Sequence, residues 1–145
     1  TVLMPVERMI FVVESPFSAR DESRFGTAVL KRMGYQVEVW DVSALVLPLS
    51  RRQWREPPRL VTPRVVDSFD EFHSLTRTLT SGDACVLMCC TGPNSGDSCQ
   101  AVRSALFASS AILCAISSGH LPMPAGTRVF LSELRRLLAQ IPGRL

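Results

Sequence analysis

Apolar and polar residues along this chain follow two alternating periods, which predict strands alternating with helices. Residues 9–13 are five consecutive apolar residues, a run typical of a parallel strand covered on both faces. Pro16 and Ser18 break this run, and either Ser18 or Asp21 is placed to cap the helix that follows. The residues that recur at helical spacing, and that we expect on the buried side of this helix, are Phe25, Ala28, Val29 and Met33.

Gly34 follows this helix directly and is expected to end it with a positive φ. A second strand comes next, in which alternate side chains face opposite sides of the sheet. One face carries Tyr35, Val37 and Val39, and the other carries Gln36, Glu38 and Trp40. A strand, a crossover helix and a strand of this length predict a right-handed parallel pair.

Three more strands are predicted further along the chain. Residues 64–66 predict a short edge strand, residues 83–90 the most apolar and therefore central strand, and residues 111–116 the fifth. An amphipathic helix capped by Ser68 or Asp70 precedes the fourth strand, and another helix follows that strand. The inward residues are Phe69, Phe72, Leu75 and Leu79 in the first of these helices, and Val102, Ala105, Leu106 and Ser109 in the second.

Together these elements predict an α/β fold. We expect a three-layer Rossmann-like domain over residues 1–126, with about five parallel strands in the order 3-2-1-4-5. In such sheets ligands bind at the carboxyl ends of the strands where the order reverses, here between the first and fourth strands. Residues 127–145 predict a C-terminal amphipathic helix, which we expect to lead to a second domain absent from this chain. Its apolar side carries Leu134, Leu137, Leu138 and Ile141.

Charge and composition argue against several classes of function. The net charge is +3 and the basic residues are scattered, so no nucleic-acid partner is expected. Lys31 is the only lysine, which argues against a P-loop lysine. The apolar run at residues 9–13 is too short for a signal peptide or a transmembrane segment, and we expect a cytoplasmic protein.

The cysteines and histidines argue against a metal site. Four of the five cysteines lie in apolar runs, where cysteine behaves as a small buried hydrophobe with a reduced thiol: Cys85, Cys89, Cys90 and Cys114. No Cys-x-x-Cys pair is present, and only two histidines are available to complete a site. We therefore expect neither a metal ion nor a cofactor.

The candidate ligand-binding residues follow the first, second and fourth predicted strands. They are Ser15, Ser18, Arg20 and Arg24 after the first strand, Asp41 at the end of the second, and Thr91, Gly92, Asn94, Ser95 and Gly96 after the fourth. Arginines pair with phosphate, and glycines with hydroxyls before a helix can cradle an anion. The structural alternatives are a plain turn at residues 91–96, ion pairs of the arginines with Asp21 and Glu22, and capping of Ser43 by Asp41.

His120 is the one candidate catalytic residue. It follows the fifth predicted strand, a cleft position in this fold, where an imidazole can act as a general base. Ser117 and Ser118 lie close by in sequence, but no acid is near enough in sequence to orient the ring. The residues alone therefore leave the reaction open.

The first strand-helix-strand unit carries a family resemblance. Glu14-Ser15, residues 20–26 and residues 30–43 resemble the opening of bacterial surface (capsular) polysaccharide biosynthesis proteins. Those proteins begin with a Rossmann-like domain similar to the first half of GT-B glycosyltransferases. The resemblance implies a cell-envelope glycan pathway and a second domain that holds most of the donor nucleotide, so that this half chiefly faces the acceptor.

Three alternatives for the function follow. The first is the N-terminal, acceptor-side domain of a glycosyltransferase-like protein of bacterial envelope polysaccharide biosynthesis, inactive when isolated. Its partners would be a nucleotide-sugar or glycan acceptor and a second domain or another copy of the chain. The second is a stand-alone nucleotide-binding or sensing module that uses the crevice after the first and fourth strands. The third is a non-catalytic protein-interaction domain that uses the terminal helix or the loop around Trp54.

Overall fold

The computed structural model describes residues 5–47, 56–88 and 96–115. Five parallel strands in these ranges form one sheet in the order β3-β2-β1-β4-β5. The strands are β1 (Arg8–Val13), β2 (Gln36–Asp41), β3 (Arg64–Val65), β4 (Asp83–Leu87) and β5 (Ile112–Ala115). The predicted α/β class and strand order are confirmed, with β1 in the centre between β2 and β4.

Helices cover both faces of this sheet. They are α1 (Ala19–Arg24), α2 (Thr27–Arg32), α3 (Ser43–Val46), α4 (Phe69–Arg77) and α5 (Asp97–Phe107). Ser68 caps α4 by accepting a hydrogen bond from Glu71 N, as one of the two predicted caps. The sequence alternation along β1 sends Ile10 and Val12 to one face, and Phe11 and Val13 to the other.

Each face has its own apolar cluster. The first cluster lies under α3, α4 and α5 and includes Trp40, Phe72 and Leu106. Trp40 meets Phe72 edge to face, with ring centroids 6.3 Å apart. The second cluster lies under α1 and α2 and includes Val39 and Val86. Clusters on both faces make the domain three layers deep, which leaves the strand ends as the open edges of the sheet.

The first predicted helix is interrupted, and its predicted buried side is partly wrong. Gly26, with a φ of +65°, separates α1 from α2. This break rotates α2 out of phase with α1, so Ala28, Val29 and Met33 are all exposed. Thr27 and Leu30 turn inward instead. Phe25 keeps its predicted contact with the core. Helical spacing across the break therefore misreported the buried side.

Replacing Gly34 with alanine should lower the free energy of unfolding by about 1–2 kcal/mol, because its φ is +94° and a Cβ is disfavoured there. Gly34 N donates to Lys31 O at 3.0 Å and Tyr35 N donates to Leu30 O at 3.1 Å, the Schellman pair of bonds that ends α2. Urea unfolding checks this prediction. The control Gly82→Ala, where φ is not positive and a Cβ would meet Thr80 Oγ1 at an ordinary 3.6 Å, should stay within about 0.5 kcal/mol. Equal losses in the two variants would contradict the prediction.

Candidate functional site

The carboxyl ends of the strands form one edge of the sheet. The strand order reverses between β1 and β4 along this edge. β1 ends at Val13 and lies between β2 and β4. The chain leaves β1 toward β2, whereas it leaves β4 toward β5, so the two connections diverge. Diverging connections open a crevice between them, which is where open α/β sheets bind ligands.

A crevice of about 150 Å³ lies at this edge. It is lined by Val13, Glu14, Ser15, Phe17, Asp21, Arg24, Phe25 and Met88. Phe25 stacks on Phe11 with ring centroids 5.4 Å apart, and Phe17 lies 5.7 Å from Phe25 at a tilt. These ring contacts tie the aromatic wall of the crevice to the second apolar cluster. The wall is therefore held by the core, while the rim carries acids, a hydroxyl and a guanidinium.

The hydrogen bonds of Ser18 cap the start of α1. Its hydroxyl donates to Asp21 Oδ2 at 2.7 Å and accepts from Asp21 N at 3.3 Å, while Ser18 N donates to the same carboxylate oxygen at 3.0 Å. This reciprocal capping box occupies donors that a phosphate would otherwise meet. The acids Asp21 and Glu22 in the first turn oppose an anion as well. The crevice therefore suits a neutral ligand better than a phosphate.

The other residues predicted after the first strand are divided by the fold. Ser15 and Arg24 line the crevice, and their predicted role in ligand binding stays a prediction. Arg20 is exposed on α1 and is not part of the lining. Glu14, Asp21 and the two phenylalanines were not among the predicted ligand-binding residues. The spacing of Asp21, Arg24 and Phe25 on one side of α1 is the sequence signal that could have found three of the lining residues.

Asp41 is buried at the end of β2. Its side chain contacts Ser43, which was the structural alternative to ligand binding for this residue. Asp41 Oδ1 accepts a hydrogen bond at 2.9 Å from Ser43 N, the backbone amide of the first residue of α3. The Ser43 hydroxyl beside it is buried and has no hydrogen-bond partner within the part of the chain that the structure describes. One oxygen of Asp41 is therefore committed to the backbone.

Glu22 has a role that the sequence did not indicate. It is buried, and its carboxylate accepts hydrogen bonds from Arg59 N at 2.9 Å, Leu60 N at 2.7 Å and Val61 N at 2.9 Å. Burial raises the pKa of this carboxyl, but the three N–H donors lower it by more, so the pKa lies below its ordinary value. We call residues 56–61 the strap, because these bonds tie them across α1.

The strap is also held at its two ends. Ala19 N, in the first turn of α1, donates to Glu56 O at 2.9 Å. Lys31 Nζ, on α2, donates to Leu60 O at 2.5 Å. The strap therefore runs beside the same short helix that supplies Asp21 and Arg24 to the crevice. Its position is set by backbone donors, which carry no residue-specific signature in the sequence.

Several predicted site residues lie outside the described residues: Thr91, Gly92, Asn94, Ser95 and His120. Gly96 is described and stands as the N-cap of α5, with no side chain to cap it. The predicted anion cradle and general base therefore remain predictions. The predicted C-terminal helix over residues 127–145 also falls outside the described ranges.

The described cysteines differ in environment. Cys85 is buried in the first apolar cluster, and burial followed by the nearby Asp83 raises the pKa of its thiol to about 12. It is the inert hydrophobe that the sequence predicts, whereas Cys114 is exposed and contradicts that prediction. Over the described ranges no three His, Cys, Asp or Glu side chains are grouped to hold a metal ion. No helix in those ranges has the length and apolar character needed to cross a membrane.

A larger groove, of about 500 Å³, lies between α4 and α5. It runs along the second halves of both helices, which lead into the amino ends of β4 and β5. Among the residues that the structure describes, its titratable lining residues are His73, in the middle of α4, and Arg77, in the last turn, where the helix dipole favours cations. This groove lies away from the carboxyl ends of the strands. We therefore place the candidate site in the smaller crevice, which lies at those ends where the strand order reverses.

Comparison of this chain with protein-family models, with characterised proteins and with solved structures finds no match in any of the three. The assignment of a function therefore depends on the geometry of the crevice and on the resemblance of residues 14–43.

Proposed function

We propose that this chain is the acceptor-side domain of a glycosyltransferase-like protein of bacterial envelope polysaccharide biosynthesis, and that it holds a glycan in the crevice at the end of β1. The observation that carries the proposal is the lining of that crevice, an aromatic wall beneath a rim of acids and a hydroxyl. The strand order and the resemblance of residues 14–43 support it.

The lining matches the surface of a sugar ring. A pyranose has apolar C–H faces and a rim of hydroxyl groups, so it needs an apolar wall and several hydrogen-bond acceptors. Phe17 and Phe25 supply the wall. Glu14 and Asp21 are carboxylates, and an ionised carboxylate has about four acceptor sites, of which Ser18 takes two at Asp21 Oδ2. Arg24 adds donors at the rim.

The same features disfavour a nucleotide at this position. A phosphate site needs free N–H donors at a helix start, but Ser18 and Asp21 occupy each other at the start of α1. Two carboxylates in a crevice of about 150 Å³ also repel an anion. In this proposal the nucleotide part of the donor is bound by a second domain, and the isolated chain transfers no sugar.

Binding can be tested by saturation-transfer NMR on the full chain, with N-acetylglucosamine disaccharides and maltose as neutral probes and uridine diphosphate as the charged one. We expect transfer from aromatic protons to the sugar C–H protons. Ser15→Leu should abolish it by filling the crevice, whereas Ser23→Leu, on the exposed side of α1, should leave it unchanged.

Three outcomes would overturn the proposal. Binding of uridine diphosphate without any sugar would favour a nucleotide-binding module. If none of the probes shows saturation transfer, the crevice does not bind a glycan. A sugar signal that survives Ser15→Leu would place the glycan elsewhere on the molecule.

A further inference from the structure

Within the described ranges β5 is covered on one face only. Leu113 packs against the first apolar cluster, whereas Ile112 is 43% exposed and Cys114 is exposed. The strand register sets Ile112 beside Ala84 and Cys114 beside Val86, on the face that α1 and α2 cover over the central strands. The layer formed by α1 and α2 therefore stops short of β5.

The sequence of β5 is that of a strand with two covered faces. Residues 111–116 are apolar without interruption, which is typical of parallel strands buried between two layers. An apolar side chain such as Ile112 gains stability when it is removed from water. Ile112 and Cys114 therefore form an exposed face of β5 that the described helices do not cover.

We propose that residues 127–145 dock on this face of β5 through the apolar side predicted from their sequence. These residues lie outside the described ranges, and their apolar positions are Leu134, Leu137, Leu138 and Ile141. The opposite side of the predicted helix carries Ala139 and Arg136, which would stay in water. The proposal does not depend on the glycan site, because β5 is an edge strand that β4 separates from β1, and the crevice lining includes no residue of β5.

Length and position favour this segment over other occupants. The connection over residues 116–126 can span up to about 36 Å when extended, which is enough to pass around the carboxyl edge and return. A helix over residues 127–145 would be about 28 Å long, whereas the four residues of β5 extend about 13 Å. A second copy is disfavoured because Ile112 and Cys114 supply far less area than a stable interface needs, which is roughly 800 Å² per partner.

Cys114 provides a direct probe of this contact in the full chain. A short maleimide pulse, with labelling resolved by peptide mass spectrometry, should modify Cys114 at least about tenfold more slowly in the native protein than in urea. Leu137→Asp should remove this protection. Ala139→Asp, with the same change of charge on the polar side, should keep it. Cys85 is buried and reports whether the sheet remains folded in each variant.

Three results would overturn the proposal. Cys114 could react as fast in the native protein as in urea, or its protection could survive Leu137→Asp, or the protection could depend on protein concentration and so belong to a second copy.

If Leu137→Asp exposes Cys85 and so unfolds the sheet, cross-linking decides. A short bis-maleimide should then join Cys114 to Leu137→Cys within one chain and spare Ala139→Cys; no preference between the two would overturn the proposal.

Discussion

Replacing Arg8 with methionine should lower the free energy of unfolding by about 3 kcal/mol, because breaking a buried ion pair leaves the remaining charge uncompensated. Arg8 Nε donates to Asp83 Oδ1 at 2.8 Å and Nη2 donates to Oδ2 at 3.0 Å, while Nη1 donates to Glu38 Oε1 at 3.1 Å. Asp83 is buried at the amino end of β4, so the loss of Arg8 leaves a buried carboxylate without its counter-charge. Urea unfolding at neutral pH measures the loss.

Arg64→Met is the matched control for this prediction. Arg64 also begins a strand and also contacts a carboxylate, that of Glu71 at 3.2 Å, but its side chain is 56% exposed. An exposed pair of this kind contributes under about 1 kcal/mol, so the control should lose little. Equal losses for Arg8→Met and Arg64→Met would show that burial of Asp83 does not set the effect.

The loss of stability caused by Arg8→Met should depend on pH in a defined direction. Hydrogen bonds from Arg8 lower the pKa of Asp83, against the opposing effect of burial, to below its ordinary value near 3.8. The stabilisation is therefore fully present above that ordinary value and is lost as the pH falls through the folded-state pKa. The difference between wild type and Arg8→Met should shrink in acid, and a constant difference would contradict this account.

Glu22→Gln should lower the free energy of unfolding by about 2–3 kcal/mol, because the buried carboxylate accepts three backbone N–H bonds, of which the bond from Val61 is itself buried. An amide has one acceptor oxygen, and its NH₂ group would face a backbone N–H that also donates. At least one donor of the strap would then lose its partner. Urea unfolding measures the loss, and hydrogen exchange at Leu60 and Val61 should accelerate with it.

Glu56→Gln supplies the control on the same strap. Glu56 forms a pair with Arg59 at 3.1 Å, but both side chains are largely exposed, so the substitution should cost under about 0.5 kcal/mol. The pKa of Glu22 lies below its ordinary value near 4.5, so its stabilisation is present above that value and is lost as the pH falls. Glu22→Gln should therefore flatten the loss of stability in acid. An unchanged acid profile would mean that Glu22 does not hold the strap.

Some of these features were predictable because they depend on local pattern. The apolar runs at residues 9–13 and 83–90 identified β1 and β4 as central strands, and the structure places both between two other strands of the sheet. The alternation over residues 35–40 assigned Val39 and Trp40 to opposite faces, where the two clusters hold them. The position of Ser15 and Arg24 at the crevice followed from the strand order.

Other features were missed because their partners are far apart in the chain. Glu22 accepts its bonds from residues 37 to 39 positions away, and the donors are backbone groups that every residue type except proline offers. Arg8 meets Asp83 across 75 positions. The break at Gly26 was missed for a different reason, since one residue with positive φ resets the phase that helical spacing assumes.

The sequence by itself determined the class of fold, the order of the strands and which loops lie at the edge where the strand order reverses. Periodicity reports which side chains avoid water, and that preference belongs to each residue wherever it stands. Only the tertiary structure decided that Ser18 and Asp21 satisfy each other, that Phe17 and Phe25 form one wall, and that Glu22 holds the strap. Those outcomes depend on distances between groups, which exist only once the chain has folded.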